Sequence, residues 1–354
     1  MVMIGEGRAT YQGETLDGAE ALKRAGLKPV VLSSKEGLIL LSGTTSVTAF
    51  ASLAIYDAQT LSLTADIAGS FTLEVLKGTL MAMDERLMAV RPHPDQINTA
   101  ANIRAILKDS PMLERYRGHR VQDALSIRCM PQLHGPVKKA IKDAQATLAI
   151  ELNSSVDNPL IFDEEDGGAV ALMGCNADGT YAGMASDNLC IAITDLCKMS
   201  NSRIDRLLNS LVSELPAFLN KNADFNNGLM MIQYASAGLQ GELRILAHPA
   251  VVDNLTTCAN QEDYVNMGYN AAKKAYDSMH LAKYILAAEL ICDGQALDCY
   301  EDKRCAKGTQ AIYDLLRSKV PEMDNDMPLT PYLEAVAQQI IDRAYIPVSY
   351  THLT

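Results

Sequence analysis

The chain has 354 residues, 48% of them hydrophobic, with no tryptophan, only 5 phenylalanines and 16 methionines, so it is long enough for a sizeable core and that core is expected to be aliphatic and methionine-filled. Its formal net charge is −12 and no Lys/Arg run is long enough to follow a phosphate backbone, which sets nucleic acid aside as a partner. No basic, signal-like start and no stretch of about eighteen apolar residues occurs, so the sequence reads as cytoplasmic, with no membrane partner.

Met1 to Ile4 are apolar with no cap before them, which reads as the tail of an element begun upstream. ATYQGETLDG, with Gly13 and Gly18 as turn signals, predicts a hairpin, followed by a short helix ending near Gly26 and Pro29. From Lys35 to about Lys77 apolar residues recur among Ala and Ser with no proline, predicting long buried helices broken at Gly43. Pro92 and Pro94 punctuate a loop before a helix through Ile103 and Leu107. Leu133, Val137, Ile141, Ala144 and Leu148 form one helical stripe, and Leu189, Ile193, Leu196, Ile204, Leu207 and Leu211 another. Between them, NPLIFDEEDGGAVALMG predicts a hairpin with an acidic tip. MIQYASAGLQGELRILAH and the run from Asp263 to Ile291 predict two more long helices, and the part after Thr309 two shorter ones. The expected fold is therefore all-α, an elongated helical bundle with one or two small β-hairpins. The family region is taken as residues 1–345, and 346–354, ending in PVSYTHLT, as a tail that does not continue the helical period.

Several weaker signals point nowhere. GEGRAT lacks the third glycine and the preceding strand of a nucleotide loop. The acidic run Asp163 to Asp166 lacks the alternation and closing Glu of a calcium loop. Neither the 8 cysteines nor the 6 histidines show metal-ligand spacing, and no metal is expected.

Four polar segments interrupt the apolar helical sequence: KEGLILLSGTT (35–45), RVQDALSIRCMPQLHG (120–135), SSVDNPLIF (154–162) and ANQEDYVNMG (259–268). With GEGRATYQG, RPHPDQI (91–97) and ELPAFL (214–219) in the same order, they resemble the ammonia-lyases of histidine, phenylalanine and tyrosine and the related aminomutases, of the L-aspartase/fumarase-like superfamily. The resemblance implies elimination of ammonia from an L-amino acid to give an α,β-unsaturated acid such as urocanate. NQED is more like the histidine lyases, which makes Glu262 the pointer to substrate, a carboxylate able to engage an imidazole or assist proton transfer. Arg128 stands where the family binds the substrate carboxylate, a task suited to a bidentate guanidinium. Gln122 matches the family's active-site glutamine, and Asp123 and Asn158 match positions given scaffold roles.

Three positions depart from the family pattern. Ser42 replaces an Asn, Leu125 a Tyr and Ala177 an aromatic residue, removing an amide, a phenol and a ring wall and opening volume beside the substrate. Glu262, Gln122 and Ser42 are the expected catalytic set, and Arg128, Leu125 and Ala177 the substrate-binding set. The resemblance further implies a 4-methylidene-imidazol-5-one electrophile formed from Ala-Ser-Gly, and a homotetramer with shared active sites. No Ala-Ser-Gly occurs in this chain; the tripeptide and a tyrosine base are expected upstream of Met1, so these residues alone are expected to be inactive. A phenylalanine or tyrosine lyase, a 2,3-aminomutase and a helical paralogue without activity remain open alternatives.

Overall fold

The computed structural model describes residues 1–222 and 225–350. They form two compact units, one of Met1–Thr45 with Ser155–Ala177 and one of Ser46–Ser154 with the chain from Asp178 onward.

In the smaller unit, β1 (Arg8–Tyr11) and β2 (Glu14–Asp17) pair antiparallel with Ala9 opposite Leu16. Gln12 and Gly13 close the hairpin with φ of 51° and 84°, the pair of positive values that a two-residue turn requires. α1 (Gly18–Arg24) follows and α2 is a single turn, Glu36–Ile39. The second predicted hairpin is β3 (Leu160–Asp163) with β4 (Ala169–Leu172), and the DEEDGG tip folds as a turn in which Asp166 Oδ1 accepts from Gly168 N at 2.9 Å. The predicted break at Gly43 is a close approach of two segments. Gly43 has φ 90° and a β-carbon there would overlap the Val156 carbonyl oxygen, while Lys35 forms an ion pair with Asp157.

The larger unit is helical: α3 (Thr45–Val75), α4 (Glu85–Ala89), α5 (Pro94–Ile106), α6 (Pro111–Arg115), α7 (Leu125–Arg128), α8 (Met130–Glu151), α9 (Thr180–Leu208), α10 (Ser210–Ser213), α11 (Met230–Leu246), α12 (Gly268–Asp298), α13 (Lys307–Arg317), α14 (Thr330–Ile341) and α15 (Tyr345–Tyr350). α12 runs against α9 and α14, α8 packs between α5 and α9, and α11 leans on both α9 and α12. Between Thr60 and Val75 only Leu63 keeps appreciable exposure, and Ile285 to Asp298 are all buried. Helices apolar on every side belong inside a bundle.

Three boundaries differ from the sequence expectation. Leu211 does not extend the α9 stripe: Asn209 Oδ1 accepts from Leu211 N at 3.1 Å and starts the separate turn α10, leaving Leu211 exposed. α12 begins at Gly268 rather than Asp263, because Asn254 Oδ1 accepts from Val265 N at 2.7 Å and Asn266 Oδ1 from Gly268 N at 3.0 Å, turns that compete with helix. The chain from 347 to 350, expected to be non-helical, lies in α15; residues 351–354 of the tail lie outside the described residues.

α3 carries two lone acids into the core. Asp66, with no exposed surface, accepts from His134 Nδ1 and Asn102 Nδ2, both at 2.8 Å, and pairs with Lys138, which donates to Thr99 at 2.7 Å. Burial alone would raise the Asp66 carboxyl, but the charge and hydrogen bonds of Lys138 and His134 outweigh it and hold it below the usual range. Burial pushes the His134 imidazole down against the opposing Asp66 contact, which favours a neutral ring donating to Asp66 in the core. Glu74 is also buried, and burial raises its carboxyl even though Ser110 and Ala306 N donate to it.

Candidate active site

The segment from Arg120 to Met130 displays three of the expected site residues from one short stretch. α7 is a single turn, too short to be stable by itself, and ties to the bundle hold it. At its start, Arg120 reaches Glu214 of the ELPAFL segment at 3.1 Å, and Glu214 also accepts from Lys77 at 2.8 Å and His119 at 3.0 Å. Those bonds, from Lys77 first and then His119, lower the Glu214 carboxyl to about 2. Asp123 is buried and accepts from Thr79 N at 2.8 Å, and burial keeps its carboxyl above the usual range. Gln122 and Leu125 face outward, Leu125 being 62% exposed. Arg128 is half-buried and its Nε is inaccessible with no hydrogen-bond partner, as is Oε1 of Gln132 one turn further along the same face. Buried polar atoms left without protein partners are rare and mark either stored cost or a ligand's place.

Glu262 lies in a separate loop. Thr257 N donates to Glu262 O at 2.8 Å and Thr257 Oγ1 donates to Glu262 Oε2 at 2.7 Å, so the carboxylate folds back on its own turn. Bonds from Thr257 and then Cys258 hold this fully exposed carboxyl below its ordinary value. Cys258, Ala259 and Asn260 all have positive φ, 49°, 52° and 71°. Three consecutive non-glycine residues in that region constitute strain that clusters at functional loops.

In the smaller unit, Ser42 lines a cavity of about 350 Å³ with Lys35, Ile39, Ser155, Asp157 and Leu160. Lys35 donates to Asp157 and lowers its carboxyl. Asn158 Oδ1 accepts from Gly174 N at 2.8 Å and Asn176 Nδ2 donates to Ser155 O at 3.4 Å, which joins the SSVDNP and GCNADG segments; Ala177, next along, is half-buried. Gln122, Leu125 and Arg128 thus share one segment, Glu262 sits in its own loop of the same unit, and Ser42 and Ala177 belong to the other unit.

Sequence reasoning missed the group behind α7. Arg203 on α9, with no exposed surface, makes a two-pronged pair with Glu289 on α12, Nη2 to Oε2 at 3.0 Å, and its Nη1 donates to the Ser126 carbonyl at 3.2 Å. Ser200 also donates to Glu289, and Thr72 Oγ1 lies 2.9 Å from Glu289 Oε1 and 2.7 Å from Asp293 Oδ1. The one available signal was the scarcity of charge in this part of α12, where Glu289 and Asp293 stand in an otherwise apolar run.

Burial, and then the neighbouring Glu289 charge, raises the Asp293 carboxyl well above its ordinary range, which favours its neutral form. A group raised on folding stabilises fully only below its unfolded value of about 3.9 and loses that contribution as pH rises. Asp293→Asn, a neutral isostere, is therefore expected to gain stability over wild type between pH 4 and pH 8. Denaturant unfolding at several pH values checks this, and a difference that does not grow with pH counts against a protonated Asp293.

Among the described residues no group of three or more His, Cys, Asp or Glu is placed to hold a metal ion, all 8 cysteines are free, and no helix is long and apolar enough to cross a membrane.

Comparison with known proteins gives one answer throughout. The sequence model described as aromatic amino acid lyase matches residues 1–318. The chain is 43% identical over 326 residues to histidine ammonia-lyase of Alkaliphilus oremlandii, covering 92% of this chain and 64% of that protein. It is 42% identical over 346 residues to histidine ammonia-lyase of Alkaliphilus metalliredigens, covering 98% and 68%. Among solved structures, histidine ammonia-lyase from Trypanosoma cruzi superposes with a TM-score of 0.91 at 32% identity, over 99% of this chain and 67% of that one. Tyrosine aminomutase from Streptomyces globisporus gives 0.91 at 29%, over 100% and 70%. The chain thus spans about two thirds of the length of the relatives it matches, and within that span it belongs to the aromatic amino acid lyase family.

Proposed function

We propose that the protein of which these residues form part is a carbon–nitrogen lyase that removes ammonia from histidine or a related aromatic L-amino acid. The observation that carries this reading is Arg128, a half-buried guanidinium whose Nε has no hydrogen-bond partner among the described residues, on a turn that follows closely after the exposed Gln122. The Nε itself is closed off, so it is the outer edge of this guanidinium, paired with no carboxylate among the described residues, that can take a substrate's carboxylate. Gln122 is exposed and its amide both donates and accepts, which suits the polar atoms of an amino acid.

Glu262 contributes charge more than acid–base traffic. A carboxyl held below its ordinary value stays ionised at neutral pH, so it stabilises a cationic ring N–H and is a poor proton donor. That favours imidazole over a phenyl ring. Leu125, where the family usually has a tyrosine, takes a hydroxyl away from the stretch that carries Gln122 and Arg128.

The family's electrophile, 4-methylidene-imidazol-5-one, forms from Ala-Ser-Gly. No such run occurs in these 354 residues, so none of that group's own atoms comes from this chain. We place the protein in the cytoplasm, where free thiols persist. A homotetramer with shared sites accounts for the exposed Tyr181 and Met184 on α9 and Tyr234 and Ile245 on α11.

The test is incubation of the complete protein with a panel of L-amino acids. Equal yields of ammonia and an α,β-unsaturated acid support the lyase, and a β-amino acid without ammonia identifies a 2,3-aminomutase instead. No product from any aromatic or imidazole amino acid sinks both and leaves the helical paralogue.

A further inference from the structure

We propose that Arg203 is a positioning residue for Arg128: by gripping the Ser126 carbonyl from inside the bundle, it fixes the turn from which Arg128 reaches the substrate. The inference rests on the reading of Arg128 as the carboxylate anchor, and its structural half stands apart from that reading.

The argument begins with what α7 lacks. A helix of four residues has only three internal amide bonds, Ile127 N and Arg128 N to Ala124 O and Cys129 N to Leu125 O, at 3.0, 2.9 and 2.9 Å. One turn carries no cooperativity of its own, so its direction is set by whatever holds it. Ile127 is buried beneath it, which fixes depth but not rotation. The Ser126 carbonyl supplies rotation, because a bond to Arg203 Nη1 at 3.2 Å points that peptide inward and obliges Leu125 and Arg128 to take the other sides of the turn.

Arg203 is itself immobile. Its Nε and Nη2 occupy both carboxylate oxygens of Glu289, and Ser200 and Thr72 bond the same carboxylate. A planar fork bonded on one edge has its remaining nitrogen aimed in a single direction, and that direction is the Ser126 carbonyl. The neighbouring junction is held in a second way. Met130, the first residue of α8 and fully buried, puts its sulfur where a β-carbon of residue 69 would stand, so the lack of a side chain at Gly69 on α3 makes room for the anchor of the junction.

The experiment compares the complete protein with its Arg203→Lys variant. Lysine keeps a positive charge opposite Glu289, but one ammonium cannot bridge both carboxylate oxygens and the Ser126 carbonyl together. Hydrogen exchange at the amides of Ile127, Arg128 and Cys129 is expected to quicken about tenfold or more while Ile141 and Ala144 in α8 keep wild-type protection. KM for the amino acid is expected to rise about tenfold with kcat within about twofold, since a loosened carboxylate anchor weakens ground state and transition state alike. If Arg203→Lys does not fold, the double variant Arg203→Gln with Glu289→Gln, which leaves no buried charge, is read in the same way. Exchange at α7 that matches wild type, exchange that rises equally everywhere, or an unchanged KM overturns the proposal. Absence of turnover in wild type would instead overturn the lyase reading, and the exchange data would then decide Arg203 alone.

Discussion

Asp66→Ala lowers the stability of the helical unit by about 3–5 kcal/mol, the cost of breaking a buried ion pair from one side. Asp66 has no exposed surface and anchors three partners on two other helices: His134 and Lys138 of α8 and Asn102 of α5. Removing it leaves the Lys138 ammonium, whose side chain is 9% exposed, with only Thr99 as a close partner. It also strands Nδ1 of a His134 whose Nε2 already has no partner. Asp66→Asn retains hydrogen bonding and loses the charge, so it falls between alanine and wild type. The pH dependence follows in sign. A carboxyl lowered on folding contributes stability above its unfolded value of about 3.9 and loses it as pH falls through the depressed folded value. The wild-type advantage over Asp66→Ala therefore narrows in acid below about pH 4. Urea unfolding at pH 7 and in acid measures both effects; a loss below about 1 kcal/mol at pH 7 would show that Lys138 finds water or another acceptor at little cost.

Arg128→Ala is the substitution expected to hurt turnover most. A hydrogen bond to a charged partner is worth about 1.5–3 kcal/mol, so kcat/KM for the preferred amino acid falls about 10- to 150-fold, with Arg128→Lys intermediate because it keeps charge without the fork. Stability changes little, since the Nε of Arg128 bonds nothing among the described residues. Steady-state ammonia release together with a melting curve separates the two effects. A kcat/KM within twofold of wild type, in a protein that folds and turns over, would remove Arg128 from the substrate's carboxylate.

The helices were largely legible because burial at period 3.6 leaves a direct trace: the stripe from Leu133 to Leu148 is the inner face of α8, and Leu189 to Leu207 that of α9. Both hairpins were legible from their glycine turns. The misread boundaries at Leu211 and at Asp263 share a cause, an Asn side chain bonding nearby backbone where the apolar pattern alone reads as helix. The polar segments pointed to Gln122, Leu125 and Arg128, which already stand close together in the sequence itself. Arg203 stayed hidden because a charged residue in NSRIDR reads as solvent-facing, and its partner Glu289 is 86 residues away. The lone acids of α3 held more information than they were given: a helix of 31 residues with three acids and no base must find its counter-charges on other elements.

Those counter-charges have a consequence for how the bundle finds its alignment. α3, α9 and α12 are long and smoothly apolar, and two such cylinders slide past one another by a turn, about 5.4 Å, with little change in buried oil. Asp66 with His134 and Lys138 keys α3 to α8, while Thr72, Arg203 and Glu289 key α3, α9 and α12 together one and a half turns away. A slip of α3 against α8 strands Asp66 and Lys138, and a slip of α9 against α12 strands Arg203 and Glu289. The two clusters act as a vernier, admitting one register among many that the apolar surface would tolerate.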